Sequence, residues 1–128
     1  IKSRGYSNLY LYGMSMGGIF AMGPHMPRKN FTAIAIDSSP ATFPWYAFCP
    51  KEYDPISNVP ADSSNILIIS GDRDTVIPAP DVKPLGEKVV KNGGKYLNRE
   101  DLGHPLMDSL EATDFRFKAV VEFFKGWE

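Results

Sequence analysis

The sequence predicts an α/β domain in which a parallel sheet is flanked by helices, and three observations carry that prediction. Residues 8–13 (NLYLYG), 31–36 (FTAIAI) and 65–71 (NILIISG) are short, β-rich runs that are apolar on both alternating faces. Strands of that kind suit the interior of a parallel sheet covered on both sides by helices. Helical patterns alternate with these runs, giving the order strand, helix, strand, long loop, strand, helix, strand, helix.

Each element has its own local justification. After the first run, MGGIFAMG leaves room only for a short helix before Pro24 and Pro27. Residues 81–94, DVKPLGEKVVKNGG, read as a helix with Asp81 as cap, Pro84 in its first turn and Gly93-Gly94 as its stop. KYLNRED, residues 95–101, supplies a fourth strand. The last helix, near 114–126, places Phe117, Val120, Val121 and Phe124 on one stripe.

Composition narrows the class. The 128 residues are 43% hydrophobic and 23% charged, as expected of one globular domain. A net charge of −1 and a pI near 6.1 offer no electrostatic attraction for nucleic acid or an anionic membrane. No apolar run approaches the roughly 20 residues that cross a bilayer, and no apolar h-region follows the opening IKSRGYSN. Cys49 is the sole cysteine, so no intrachain disulfide or cysteine metal cluster can form, which fits a reducing, cytoplasmic setting.

The chemistry begins at GMSMG, residues 13–17, which matches G-x-S-x-G. Ser15 lies where an apolar run ends and a helix can start. A sharp strand-to-helix turn there holds the hydroxyl clear of the sheet, and side chains at Gly13 or Gly17 would crowd it. A serine hydroxyl needs a base, and the chain has two histidines. His25 sits in GPHMP, a proline-flanked turn with no charge pattern, and reads as a surface residue. His104, in DLGHPLMD, follows the fourth strand and so falls on the same sheet edge as Ser15. Ligands of open parallel sheets bind at that edge. The base needs a carboxylate to set its tautomer. Asp72 and Asp74, in ISGDRDTVIP, both follow the third strand, and either can serve. The chain order serine, aspartate, histidine is that of one triad architecture and not of the other two common ones.

GMSMGG, GDRDTVIP and LGHP together resemble the three signature segments of the α/β-hydrolase superfamily, in order and across essentially the whole chain. The resemblance is to esterases, lipases and serine aminopeptidases. It implies Asp74 rather than Asp72 as the acid, from the pattern G-x-x-D-x-x-V/I-P. It further implies acyl transfer: Ser15 attacks a carbonyl carbon, His104 takes its proton, and water cleaves the acyl-enzyme. The backbone N–H of Met16, which follows the nucleophile, would donate to the oxyanion. The substrate class is a small-molecule carboxylic ester or thioester, with no cofactor and no metal.

Members of the superfamily have about eight strands with the elbow near the middle, whereas here the elbow follows the first recognisable strand. The chain therefore reads as a single domain, residues 1–128, corresponding to the C-terminal portion of an α/β-hydrolase fold and incomplete at its N-terminus. No HGGG-type segment is present to supply a second oxyanion donor. The edge of strand 8–13 would lack a neighbour, to be supplied by an N-terminal segment or a second chain. Residues 38–64 form a proline- and serine-rich excursion where superfamily members insert lids. Its Phe43, Trp45, Tyr46 and Phe48 read either as one wall of a substrate pocket or as aromatics that complete the core. Three functions compete: an ester hydrolase, a serine peptidase of the same fold, and a non-catalytic interaction protein that kept the fold.

Overall fold

A computed structural model describes residues 4–42 and 50–128. Its four strands are β1 (Tyr10–Met14), β2 (Ala33–Asp37), β3 (Ile66–Gly71) and β4 (Lys95–Arg99), and its three helices are α1 (Met16–Ala21), α2 (Ala79–Lys91) and α3 (Leu110–Lys125). The strands form one sheet in the order β1-β2-β3-β4. Every pairing is parallel: Tyr10 faces Ala33, Ile34 faces Ile66 and Leu67 faces Lys95. Parallel pairing requires a crossover between neighbours, and the intervening helices and loops provide it.

The period-2 alternation sorts the core into two layers. Ile34, Ile36, Ile66 and Ile68 point to one face, where they meet Ala21 and Met22 and then Val82, Leu85 and Val89 of α2. Ala33, Ala35, Leu67 and Ile69 point to the other, against Ala112, Val120 and Phe123 of α3. Burying an aliphatic side chain of this size is worth about 1.5–3 kcal/mol, so the two central strands anchor both layers. β1 pairs only with β2 among the described residues. On α1, which follows β1, Phe20 is 65% and Met16 60% exposed.

Three local expectations need correction. α2 begins earlier than the sequence implies: Pro78 occupies the N-cap, Asp81 lies in the first turn, and Pro84 is inside the helix. A proline at position 80 in the first turn forfeits no helical hydrogen bond, which lets the helix start before the aspartate. The helix does stop at the glycines, with Asn92 as C-cap and Gly93 at φ 96°. α3 starts at Leu110 because Ser109 caps it, accepting the Ala112 N–H at 3.1 Å. Its buried face is Ala112, Arg116, Val120 and Phe123, so of the expected stripe Val120 is buried and Phe124 packs partly buried on the core, while Phe117 and Val121 face outward. Phe117 and Val121 are 40% and 49% exposed. The flanking aromatics turn toward β1 instead: Phe124 stacks on Tyr10 at 4.8 Å, and Phe117 meets Tyr12 edge-on at 6.1 Å. A charged residue at the centre of the buried face displaces the apolar pattern from the true contact surface.

The described part of the excursion folds back over α2. Ala41 N–H bonds to Asp81 O at 2.9 Å and Ile56 N–H to Ala41 O at 3.0 Å, while Ile56 and Val59 pack on the core. Short 3-10 turns cover Lys51–Tyr53 and Pro55–Asn58.

Candidate active site

Parallel strands deliver their C-terminal ends to one edge, and the candidate residues follow three of them: Ser15 after β1, Asp74 after β3 and His104 after β4. The turn from β1 into α1 holds Ser15 at φ 53°, ψ −119°. This is a left-handed conformation that costs a non-glycine residue on the order of 1–3 kcal/mol and persists only where the surroundings enforce it. Here Ser15 N–H bonds to Asp37 O at 2.8 Å, and Ser15 O accepts from Ser39 Oγ at 2.6 Å. Met16 opens α1, so its N–H has no acceptor within the helix.

The glycines divide unexpectedly. A Cβ on Gly13 would lie 2.7 Å from Gly17 O, so the strand and the helix approach too closely there for any side chain. A Cβ on Gly17 would meet nothing within 4 Å, which corrects the expectation that a side chain there crowds the turn. The close contact falls one residue later: a Cβ on Gly18 would stand 1.9 Å from Ser39 Oγ. Ser39 and Gly18 thus support the turn together, and only the repeated glycine in GMSMGG hinted at it.

Asp74 and His104 are joined. His104 Nδ1 lies 2.9 Å from Asp74 Oδ2, with the aspartate side chain fully buried and the histidine 11% exposed. The other oxygen, Asp74 Oδ1, accepts the backbone N–H groups of Val76 at 2.9 Å and Ile77 at 2.8 Å. Two amides therefore orient the carboxylate and leave one oxygen for the imidazole. Asp72, two residues earlier, is exposed and instead accepts from Asn98 Nδ2 at 3.0 Å. The two loops are tied by Arg73 N–H to Leu102 O at 3.0 Å. His25 is exposed, and its Nε2 lies 3.4 Å from the Tyr53 hydroxyl.

A Ser15 Oγ–His104 hydrogen bond is not among those of the described residues. Beside His104 a cavity of about 300 Å³ is lined by Arg73, Thr75, Val76, Gly103 and Met107. Phe43, Trp45, Tyr46 and Phe48, the expected pocket wall, lie outside the described residues. Among the described residues no cluster of three His, Cys, Asp or Glu side chains could hold a metal ion, and no helix is long and apolar enough to cross a membrane.

This architecture is that of known hydrolases. The Pyrococcus furiosus esterase Pf2001 superposes with a TM-score of 0.65 at 17% identity, covering 98% of this chain and 56% of its own. Esterase 2 of Thermogutta terrifontis gives 0.62 at 15%, covering 91% and 53%. A puromycin-hydrolyzing peptidase of Mycobacterium tuberculosis gives 0.68 at 12%, covering 97% and 23%. The chain has an α/β-hydrolase-like fold and spans about half the length of those esterases. No family model matches the sequence. Among curated proteins, the ATP-dependent protease subunit HslV of Borrelia duttonii is 42% identical over 60 residues, which is 47% of this chain and 31% of that subunit. That likeness is local, whereas the superpositions cover 91% to 98% of this chain.

Proposed function

We propose that this chain carries the catalytic triad of a serine hydrolase acting on carboxylic esters or thioesters. The observation that supports it best is the buried Asp74 carboxylate hydrogen-bonded to His104 Nδ1 on the sheet edge where Ser15 is held in strained backbone. In this reading Asp74 fixes the imidazole tautomer with Nε2 as acceptor and stabilises the imidazolium that forms. His104 takes the Ser15 proton as the hydroxyl attacks the acyl carbon, and the alkoxide or thiolate leaves with that proton. Water, activated by the same imidazole, then releases the acid. Met16 N–H donates to the oxyanion.

A second oxyanion donor and a neighbour for the outer edge of β1 belong, in the same proposal, to a further segment of the protein or to a second chain. Support comes from the exposed apolar Met16 and Phe20 of α1, the helix that follows β1, and from the greater length of the esterases of this fold. A monodisperse, monomeric 128-residue chain with full activity by itself would count against that part. The triad alone does not separate ester from amide cleavage. Parallel assays on p-nitrophenyl esters and aminoacyl-anilides decide between esterase and peptidase.

The decisive experiment is labelling with a fluorophosphonate probe. The probe is expected to modify Ser15 in the native protein and to leave Ser15→Ala unlabelled and inactive. Absence of labelling on the intact protein favours the non-catalytic alternative.

A further inference from the structure

Among the described residues, the chemistry above leaves a fully buried pair of charged side chains unused, Arg116 and Asp37. Arg116, at the centre of the buried face of α3, is 0% exposed. Its Nη2 donates to Gly103 O at 2.8 Å and to Asp108 Oδ2 at 2.7 Å, and its Nη1 donates to Asp37 Oδ1. Asp108 accepts in turn from Gly103 N–H at 3.3 Å and from Thr113 Oγ1 at 3.0 Å. Both polar backbone groups of the residue preceding His104 are thereby tied to one ion pair. Asp37 completes the far side: Tyr12 O–H donates to its Oδ2 at 2.6 Å, Ser38 O–H donates to its Oδ1 at 3.0 Å, and its carbonyl accepts Ser15 N–H at 2.8 Å. An unbroken path runs from Ser15 through Asp37 and Arg116 to Gly103.

We infer that Arg116, braced by Asp37 and Asp108, is a positioning residue that sets the placement of His104 relative to Ser15. The inference rests on the triad reading given above. A buried ion pair is a poor source of net stability, since desolvation offsets most of the attraction, and an apolar side chain would fill the same space more cheaply. An apolar residue could not bridge β2 and the histidine loop at once. The planar guanidinium does so because its donors diverge at fixed angles. Lysine, with one rotating ammonium, cannot span the same three acceptors.

The test uses the 128-residue chain, or the longer protein should activity require it, with Arg116→Lys and Asp108→Asn. Displacing a catalytic group by about 1 Å costs roughly a hundredfold, so Arg116→Lys is expected to lower kcat on p-nitrophenyl acetate by about tenfold to a hundredfold with KM within about twofold. Amide exchange at Gly103 should accelerate by about tenfold or more while that of β3 is unchanged. Asp108→Asn, which keeps its size and an acceptor oxygen, should show the same pattern more weakly, and it decides the matter if Arg116→Lys fails to fold. A kcat unchanged in a folded variant, or Gly103 exchange unchanged, overturns the inference. If the wild-type protein neither cleaves the ester nor labels at Ser15, the hydrolase reading is what fails. Gly103 exchange in Asp108→Asn then judges the clamp alone, faster exchange upholding it and unchanged exchange overturning it.

Discussion

At the scale of single residues, the proposed choice of Asp74 over Asp72 as the acid is supported by backbone amides. Asp72 and Asp74 follow the same strand two positions apart, and residue type cannot separate them. What does so is the turn that aims Val76 and Ile77 N–H at Asp74 and leaves Asp72 beside Asn98. Asp74→Asn keeps an acceptor for those amides but disturbs the imidazole tautomer, so kcat should fall by roughly 10⁴-fold with the fold intact. Asp72→Asn should leave kcat within about threefold; comparable losses from both would refute the assignment. The glycines make a second contrast. Gly18→Ala drives a methyl into Ser39 and should cost about 1–3 kcal/mol in urea unfolding. Gly17→Ala enters open space on a helix and should stay within about 0.5 kcal/mol. The placement of Ser15, Asp74 and His104 after β1, β3 and β4 is legible in the sequence because each follows a recognisable strand. Ser39 is not, because its role depends on a partner that only the folded chain brings near.

At the scale of elements, the sequence reads strands better than helices. β2 sets isoleucine on one buried face and alanine on the other, and β3 is apolar on both, so each reads as a short apolar run with both faces covered. α3 defeats the same logic. Arg116 holds a core position, and a rule that sends charge to solvent rotates the predicted face toward Phe117 and Val121. Its start also lies earlier than the apolar stripe implies, since Ser109 caps a first turn whose Leu110 is 89% exposed and takes no part in the buried face. The cap itself is testable: Ser109→Ala should remove the bond to Ala112 N–H and destabilise the protein by about 1 kcal/mol. Ser109→Asp should retain it. An unchanged denaturation midpoint in the alanine variant would show that the first turn of α3 is held by the Asp108 contacts alone.

At the scale of the whole molecule, the buried polar cluster limits stability at both ends of the pH range. Burial opposes ionisation of Asp108, but hydrogen bonds from Arg116 and Thr113 prevail and hold its carboxyl below the usual 3.8. A depressed carboxyl contributes stability that is present above the unfolded value and is lost as pH falls through the folded one. Burial first, and then the Asp37 charge, push the Tyr12 phenol well above its usual 10.0. Its contribution is complete below pH 10 and declines as pH rises further, because the unfolded chain ionises while the folded one does not. Urea unfolding should therefore show a stability plateau at neutral pH with declines below about pH 4 and above about pH 10. Tyr12→Phe should flatten the alkaline side alone.

The same cluster bears on how the molecule comes into being. Tyr10 pairs with Ala33, Ile34 with Ile66 and Leu67 with Lys95, so every strand contact closes a loop of about twenty residues or more and none forms as a hairpin. Such pairings are slow relative to local structure. During synthesis, at about 5–20 residues per second, Ser15 emerges several seconds before Arg116. Until α3 docks, Asp37 has no guanidinium and Gly103 no clamp. In the proposed reading the nucleophile is thus made early, and the last of the described helices to be synthesised carries the guanidinium on which the clamp depends.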